Sequence, residues 1–206
     1  MRWIAGCGEH HPDIPFERYA DDAICHCVSE AQARKLREVL EARFAMCKLQ
    51  LHPQKTKIVY CKDSNRCDSY PEQRFDFLGY TFRPRSSMNR AGELFVSFSP
   101  AVSDQAAKTM RRTMRRWRLH RRNDLALADI ARWARPILLG WVHYYGRFRP
   151  SALRDALRTF NHFLVRWARR KYKRLRTHTM RAWAWLRRIQ TQQPSLFPHW
   201  ASRANG

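Results

Sequence analysis

The chain has 206 residues, 44% of them apolar, which is enough for one sizeable folded domain or two small ones. Lys and Arg outnumber Asp and Glu by 40 to 17, and the resulting net charge of +23 predicts a polyanionic partner. The sequence contains no apolar stretch of about 18 residues and no pattern of a signal peptide, which excludes a membrane span and predicts a cytoplasmic protein without a membrane partner.

The charge is concentrated in the second half of the chain. Residues 1–100 contain 15 basic and 13 acidic side chains, whereas residues 101–206 contain 25 and 4. The second half also contains seven of the eight Trp residues, which is not typical of a disordered tail. It is therefore predicted to be a folded, basic region.

The first candidate ligands along the chain are thiols and imidazoles. All six Cys precede residue 68, and Cys7-x-x-His10-His11 offers metal ligands. No second pair with zinc-finger spacing follows, and no Cys-x-x-Cys occurs. Free thiols, Cys25 and Cys27 among them, are therefore favoured over a zinc site.

A hairpin with two carboxylates at its tip comes next. Two short strand-like runs, Phe16–Ala20 and Ala23–Val28, flank Asp21 and Asp22. Adjacent carboxylates in a tight turn suit a hard divalent cation, which prefers oxygen ligands. The alternative is a plain turn, because Asp favours turn conformations.

A helix is predicted after the hairpin, with Ser29 as N-cap and Gln32 at the capping-box position. One stripe of this helix carries Leu36, Val39, Leu40, Phe44 and Cys47, so it should pack on the sheet. Further strands are predicted at residues 58–60, Phe75–Phe82 and Glu93–Phe98, with Leu94, Val96 and Phe98 facing inward and a turn-rich stretch between Pro84 and Gly92.

Only helices are predicted after Pro100, so the domain boundary should fall near residues 99–103. Ser103 is the expected N-cap of the first helix, whose apolar stripe is Ala107, Met110, Met114 and Trp117. The remaining predicted helices run from Asp124 to Arg135, from Pro136 at an N1 position, from Ser151 with a stripe of Leu153, Leu157, Phe160, Leu164 and Trp167, and from Met180 to Ile189. The stripes are read as core, and the opposite faces are rich in Arg and Lys.

The order of several short motifs resembles one family. The motifs are Tyr19-Ala20-Asp21-Asp22, Leu51-His52-Pro53-Gln54-Lys55-Thr56-Lys57, Phe75-Asp76-Phe77-Leu78-Gly79-Tyr80, Pro136-Ile137-Leu138-Leu139-Gly140-Trp141-Val142-His143-Tyr144-Tyr145 and Leu196-Phe197-Pro198-His199-Trp200. Together they resemble the end of the palm, the thumb and the maturase-specific region of group II intron reverse transcriptases. The resemblance implies an α+β fold in which residues 1–99 form part of a palm, with antiparallel hairpins plus a helix, and residues 100–206 an all-α basic thumb/maturase domain.

The resemblance also implies site residues. Asp21 and Asp22 would bind the catalytic Mg²⁺ pair, Tyr19 would lie beneath the primer end, and Lys55 could assist the leaving group or be a solvated lysine. Phe77, Leu78 and Gly79 match the primer grip, although core packing is the alternative role of Phe77 and Leu78. The expected nucleic-acid-binding residues are Lys108, Arg111, Arg112, Arg115, Arg116, Arg118, Arg158, Arg166, Arg169, Arg170 and Lys173.

The family's fingers and first catalytic Asp have no counterpart before Asp21, and Glu9, Asp13 and Glu17 match no such motif. We therefore expect an incomplete Mg²⁺ site in a fragment that is not competent for polymerisation, whether it is a decayed element, a truncated gene product or an excised piece. The expected partners are group II intron RNA, an RNA/DNA template-primer and, in the whole enzyme, dNTP. Self-association is expected through an uncovered apolar face around Ile24, Val59 and Phe75.

Two functions stay open. One is RNA-directed DNA polymerisation, and the other is RNA binding that aids splicing and mobility of the intron without polymerisation. A generic basic DNA-binding protein is a third reading, which the motifs before residue 80 disfavour.

Overall fold

The computed structural model describes residues 14–66 and 68–201 and has an α+β fold with two small antiparallel sheets. By internal contacts, the described chain divides into a first unit of residues 14–61 and 68–73 and a second unit of residues 62–66 and 74–201. The predictions for Cys7, Glu9, His10, His11 and Asp13 lie outside the described residues. The boundary predicted near residues 99–103 lies inside the second unit and stays a prediction.

The first unit begins with the predicted hairpin. Strand β1, Phe16–Tyr19, pairs antiparallel with β2, Asp22–Cys25, and helix α1 follows at Glu30–Met46. Ser29 caps α1 as predicted, because its hydroxyl accepts a hydrogen bond of 3.2 Å from the Gln32 amide. Gln32 does not close the expected box on Ser29, since its side chain accepts from the amide of Val28, one residue earlier.

The strand predicted at residues 58–60 is wrong. That segment has no strand partner, and the hydrogen bond from the Tyr60 amide to the Glu72 carbonyl is an isolated backbone contact. The first unit has little core, with Ile14 and Leu36 as its buried apolar side chains among the described residues. Ile24 and Val59 are half-buried, and self-association through the apolar face stays a prediction.

The sheet of the second unit has the order β3-β4-β5, with β3 at Phe75–Phe77, β4 at Tyr80–Met88 and β5 at Leu94–Val102. The single arm predicted at Phe75–Phe82 is therefore wrong, because the chain reverses between β3 and β4. The predicted turn at Pro84–Gly92 is wrong in its first half, since β4 continues to Met88. Pro84 lies beyond the end of β3, where β4 is an edge on that side, and an edge strand tolerates a residue without an N–H.

The predicted inward alternation of β5 is wrong. Val96 and Phe98 are half-buried, but Ser97 and Ser99 are half-buried as well, and Leu94 is 78% exposed. Leu94 pairs with Met88 at the far end of the hairpin, and Met88 is 68% exposed. Leu94 and Met88 therefore belong to an exposed end of the hairpin.

Five α-helices and two 3₁₀ turns complete the described part of the second unit. Their bounds are Asp104–Arg116 (α2), Leu127–Tyr145 (α3), Pro150–Lys171 (α4), Thr179–Gln192 (α5) and Pro198–Ala201 (α6), with 3₁₀ turns at Leu119–Arg121 and Lys173–Leu175. Ser103 caps α2 as predicted, accepting from the Ala106 amide at 3.1 Å. The α4 stripe of Leu153, Leu157, Phe160, Leu164 and Trp167 is fully buried, as predicted.

Two predicted helix starts are wrong. Pro136 lies inside α3, so the helices predicted on either side of it are one helix, and its N-cap is Ala126 in place of Asp124. The buried stripe of Ile130, Ala134 and Leu138 continues across Pro136, and this packing offsets the hydrogen bond that proline removes. Helix α4 begins at Pro150, and its N-cap is Arg149 in place of the predicted Ser151, because proline suits N1.

A buried polar contact holds the C-terminal motif on α4. The Asn161 side-chain oxygen accepts from Trp200 Nε1 and pairs with His199 Nε2, both at 3.0 Å. Phe197 and Trp200 are buried in the core beside Phe160. The last described helix is therefore an integral part of the helical core.

Candidate catalytic hairpin and nucleic-acid interface

The tip of the first hairpin is the candidate catalytic element. Tyr19 pairs directly with Asp22, so Ala20 and Asp21 form a two-residue turn. Ala20 has φ of +51°, a left-handed conformation that costs a residue with a Cβ about 1–2 kcal/mol, and the Arg18 side chain donates to its carbonyl at 2.9 Å. The turn leaves Tyr19, Asp21 and Asp22 exposed.

The hairpin offers ligand atoms of the type that magnesium prefers. Asp21 and Asp22 offer carboxylate oxygens, and neither takes part in an ion pair among the described residues, so both are available to a hard cation. Residues 14–66 and 68–201 contain no group of three or more His, Cys, Asp or Glu that could hold a metal. The hairpin thus presents two adjacent carboxylates, and further ligands would have to come from other residues.

Lys55 is the other predicted catalytic residue. Lys55 is exposed in a turn in which its amide donates to the His52 carbonyl at 3.2 Å. Within the described chain no ion pair joins Lys55 to Asp21 or Asp22, whereas Lys57 pairs with Glu72 at 2.9 Å. The role assigned to Lys55 stays a prediction.

The turn between β3 and β4 is the candidate primer grip. Leu78 and Gly79 both have positive φ, +50° and +78°, and Phe77 pairs with Tyr80 across the turn. The Tyr144 hydroxyl donates to the Leu78 carbonyl at 2.9 Å, and the Ser103 amide donates to the Gly79 carbonyl at 2.9 Å. The turn is thereby fastened to the ends of α3 and α2.

Glycine at position 79 has a steric reason as well. A Cβ on Gly79 would lie 2.7 Å from the Tyr145 hydroxyl oxygen, far inside van der Waals contact. The close approach that glycine permits is thus to a tyrosine of α3, where the sequence predicted approach to a ligand. Leu78 is 38% exposed and Phe77 is half-buried, so Leu78 is the accessible member of the three.

Three tyrosines, Tyr80, Tyr144 and Tyr145, surround this turn. Tyr80 is buried, contacts the rings of Tyr144, Tyr145 and Phe148, and donates its hydroxyl proton to the Tyr144 carbonyl. Burial raises the pKa of Tyr80, and its neighbours Tyr144 and Tyr145 raise it further. Burial and then Tyr144 raise the pKa of Tyr145. The sequence pointed to Tyr144 and Tyr145 within a motif but assigned them no partner.

The predicted basic residues form a largely uncompensated surface. Of the eleven, Arg111 and Arg169 are half-buried and the other nine are exposed. Arg158 pairs with Asp155 at 3.8 Å, and Arg169 donates to the Arg176 carbonyl. The remaining nine make no ion pair with an acidic side chain of the described chain. Their charge is therefore available to an outside partner.

Two basic residues near this surface, Arg121 and His120, were not predicted. Arg121 and His120 lie in the 3₁₀ turn that follows α2. The signal was present as the run Arg118-Leu119-His120-Arg121-Arg122, but helical periodicity does not describe a connecting turn.

None of the described helices is long and apolar enough to cross a lipid bilayer.

Comparisons with known proteins give two family matches. The model of the reverse transcriptase (RNA-dependent DNA polymerase) family matches residues 2–82, and the model of the group II intron, maturase-specific domain matches residues 107–188. No curated protein and no solved structure matches the chain. The chain thus combines a reverse transcriptase segment with a maturase-specific domain. The chain belongs to the group II intron reverse transcriptase/maturase family, which confirms the resemblance found in the sequence.

Proposed function

We propose that residues 100–206 form a thumb/maturase domain that binds group II intron RNA and a template-primer duplex. The observation that carries this proposal is the set of Lys and Arg residues on α2 and α4, most of them exposed and, Arg158 apart, without an ion-pair partner among the described acidic residues. Arg suits the role because its planar group pairs bidentately with phosphate and stacks on exposed bases. Binding releases counterions from the nucleic acid, so the affinity should fall steeply with salt.

Helix α2 offers the sharpest test of this surface. Its buried stripe of Ala107, Met110 and Met114 faces the core, so replacing Arg111, Arg112, Arg115 and Arg116 with Gln changes the charge and leaves the packing. We expect weaker binding to every RNA tested and a salt dependence flatter by about one unit of log–log slope for each phosphate that the variant no longer neutralises. Fluorescence anisotropy with a labelled RNA hairpin at several salt concentrations measures both.

The matched control lies on α1. Arg34 and Arg37 are also exposed on a helix, but each pairs with a glutamate four residues away, Glu30 and Glu41. Their replacement with Gln should change RNA affinity little, because their charge is already compensated. Equal losses in the two sets of variants, or an affinity that does not depend on salt, would contradict a defined RNA-binding surface.

We further propose that the first hairpin belongs to the catalytic centre of RNA-directed DNA synthesis. Asp21 and Asp22 would hold Mg²⁺, with Asp21 as the direct ligand and Tyr19 beneath the primer end. When bound, the metal pair activates the primer 3′-hydroxyl and neutralises charge on the leaving pyrophosphate. Lys55 would lie near the leaving group, and Phe77, Leu78 and Gly79 would support the primer strand. Two carboxylates from one hairpin cannot cage two ions about 3.5–4 Å apart, so a bridging carboxylate must come from another segment.

Primer extension tests this part of the proposal. The 206-residue chain alone should extend no primer, and addition of a related fingers and early-palm fragment should restore extension with dNTP. Asp21→Asn should abolish the restored activity and leave RNA binding nearly unchanged. Extension by the unaided chain that depends on Asp21 would refute the expectation of an incomplete metal site and would direct the search for a third ligand to Glu9, Asp13 and Glu17.

A second function has its own support, namely RNA binding that promotes intron splicing without polymerisation. All eleven proposed RNA-binding residues lie within the described part of the chain, whereas the two carboxylates need a further metal ligand. Splicing of a cognate intron RNA should therefore be insensitive to Asp21→Asn and abolished in the four-residue α2 variant. The opposite pattern would favour the polymerase function alone.

A further inference from the structure

A short 3₁₀ turn, Leu119–Arg121, is held rigidly against α4. Leu119 is 2% exposed in the core. Trp167 of α4 donates its indole N–H to the Arg122 carbonyl at 2.9 Å. One helical turn further on, the Lys171 ammonium donates to the carbonyls of Asn123 and Leu125 at 2.8 and 2.7 Å. The turn and the segment that follows it are thus anchored on α4.

Four arginines act electrostatically on the imidazole in this turn, two from the turn itself and two from the helix on which it docks. Arg118 and Arg121 flank His120 in the sequence, and Arg166 and Arg170 of α4 immediately precede the residues that hold the turn. Burial lowers the pKa of His120, and Arg166, Arg170, Arg121 and Arg118 lower it further. These are the charged groups that face His120 from both elements.

No acid of the described chain compensates this cluster. The nearby carboxylate of Asp124 pairs with Arg122, at 3.6 Å, and none of the four arginines around His120 makes an ion pair within the described residues. Like charges held together repel one another, so the cluster costs folding free energy in the free protein. Such a cost is offset when an anion occupies the site.

The backbone supports the same reading. Arg118 has φ of +48°, in the left-handed region that favours glycine. This conformation ends α2 and begins the turn, yet the position carries a long cationic side chain. Strained residues of this kind cluster at binding sites.

We infer that Arg118, His120, Arg121, Arg166 and Arg170 form a phosphate-binding site for the RNA backbone, at which binding is coupled to protonation of His120. The inference rests on the proposed RNA-binding function and names one site within it. A phosphodiester between the arginines would accept several charge-assisted hydrogen bonds, and protonated His120 would donate one more. The bound phosphate opposes the positive potential of the arginines at the imidazole.

The sign of the pH dependence follows from the negative charge that binding brings next to the imidazole. An adjacent anion raises the pKa of His120 above its depressed value in the free protein. Binding therefore takes up a proton, and the added affinity is complete below the pKa of the free state and lost as pH rises through the pKa of the bound state. Each pKa unit gained corresponds to about a tenfold change in affinity across the range of pH 5 to 8 in which histidine titrates.

The test measures the His120 imidazole directly by NMR in the full chain, with and without a short RNA hairpin, and with inorganic phosphate as a second probe. We expect its pKa to rise in the presence of RNA, and RNA affinity to strengthen as pH falls. His120→Gln should remove this pH dependence, and His178→Gln, an exposed histidine at the start of α5, should retain it. An identical His120 titration with and without RNA would overturn the inference.

Two double variants distinguish this site from a general effect of positive charge on RNA binding. Arg166→Gln with Arg170→Gln should weaken RNA binding and also abolish its pH dependence. Arg112→Gln with Arg116→Gln removes the same charge at the same spacing on α2 and should weaken binding while the pH dependence remains. If both pairs keep the pH dependence, the phosphate site is refuted and the RNA-binding function stands. If neither pair weakens binding, the RNA-binding function itself fails.

Arg118→Gly tests the site in a variant that we expect to stay folded. Glycine relieves the left-handed backbone, so the variant should be at least as stable as the parent chain in thermal unfolding. It should nevertheless bind RNA more weakly and show a smaller pKa rise of His120 on binding. Unchanged RNA binding in this stable variant would count against Arg118 as a ligand of the phosphate.

Discussion

Replacement of Gly79 by Ala should destabilise the second unit for two separable reasons. The φ of +78° places a Cβ in the left-handed region, which costs about 1–2 kcal/mol. The new Cβ would also lie 2.7 Å from the Tyr145 hydroxyl oxygen, about 1 Å closer than a relaxed contact. Overpacking of this kind costs about 1–3 kcal/mol, so the expected total loss is about 2–5 kcal/mol.

Gly92 provides the matched control. Its φ is +84°, and a Cβ built there meets nothing within 4 Å. Gly92→Ala should therefore cost only the backbone part, about 1–2 kcal/mol. The difference between the two variants isolates the contact between the β3–β4 turn and α3.

A double variant tests the identity of the contact. Tyr145→Phe removes the oxygen nearest to the new Cβ and leaves ring carbons at 3.3 and 3.4 Å, so it should recover about 1 kcal/mol or more in the Gly79→Ala background. Urea unfolding followed by tryptophan fluorescence is a suitable assay, because seven of the eight Trp lie in residues 101–206. Equal destabilisation by Gly79→Ala and Gly92→Ala, or no rescue by Tyr145→Phe, would refute the close approach.

Three further predictions concern the same unit. Asn161→Ala should lower the unfolding free energy by about 2–5 kcal/mol in urea titration, because it leaves the Trp200 indole and His199 imidazole buried without their shared acceptor; a loss under about 1 kcal/mol would contradict this. Burial raises the pKa of Tyr80, so its protonated form is favoured in the folded state and its contribution to stability is complete below about pH 10. Thermal unfolding should show that contribution fading as pH rises through the folded-state pKa, and Tyr80→Phe should flatten the decline. Pro136→Ala should raise the melting temperature, because it restores a helical N–H in the middle of α3, and an unchanged or lower value would count against the cost assigned to this proline.

The features that the sequence determined by itself are those carried by local patterns. The apolar stripes of α2 and α4, the caps at Ser29 and Ser103, and the hairpin around Asp21 and Asp22 all follow from spacing and turn chemistry within a few residues. Family membership also followed from the order of short motifs, although each motif alone was weak. The concentration of positive charge in the second half was sufficient on its own to predict a polyanionic partner.

Other features depended on contacts between distant residues. Pro136 reads locally as a helix start, but the buried stripe of α3 passes it, and the free energy of that packing outweighs the lost hydrogen bond. The reversal at Leu78 and Gly79 was hidden inside an apolar run that is equally compatible with one longer strand. What places the turn is its contact with Tyr144 and Tyr145, more than 60 residues away in the chain.

The charged sites also depend partly on local sequence pattern and partly on contacts between distant residues. The sequence identified most of the arginines, because exposed faces of amphipathic helices are periodic. It could not show that Arg166 and Arg170 of α4 act on His120 in the turn after α2, since that juxtaposition arises from the docking of Leu119 and the hydrogen bonds of Trp167. Charge can be counted along a chain, but the electrostatic field at one imidazole depends on distances that only the packed helices determine.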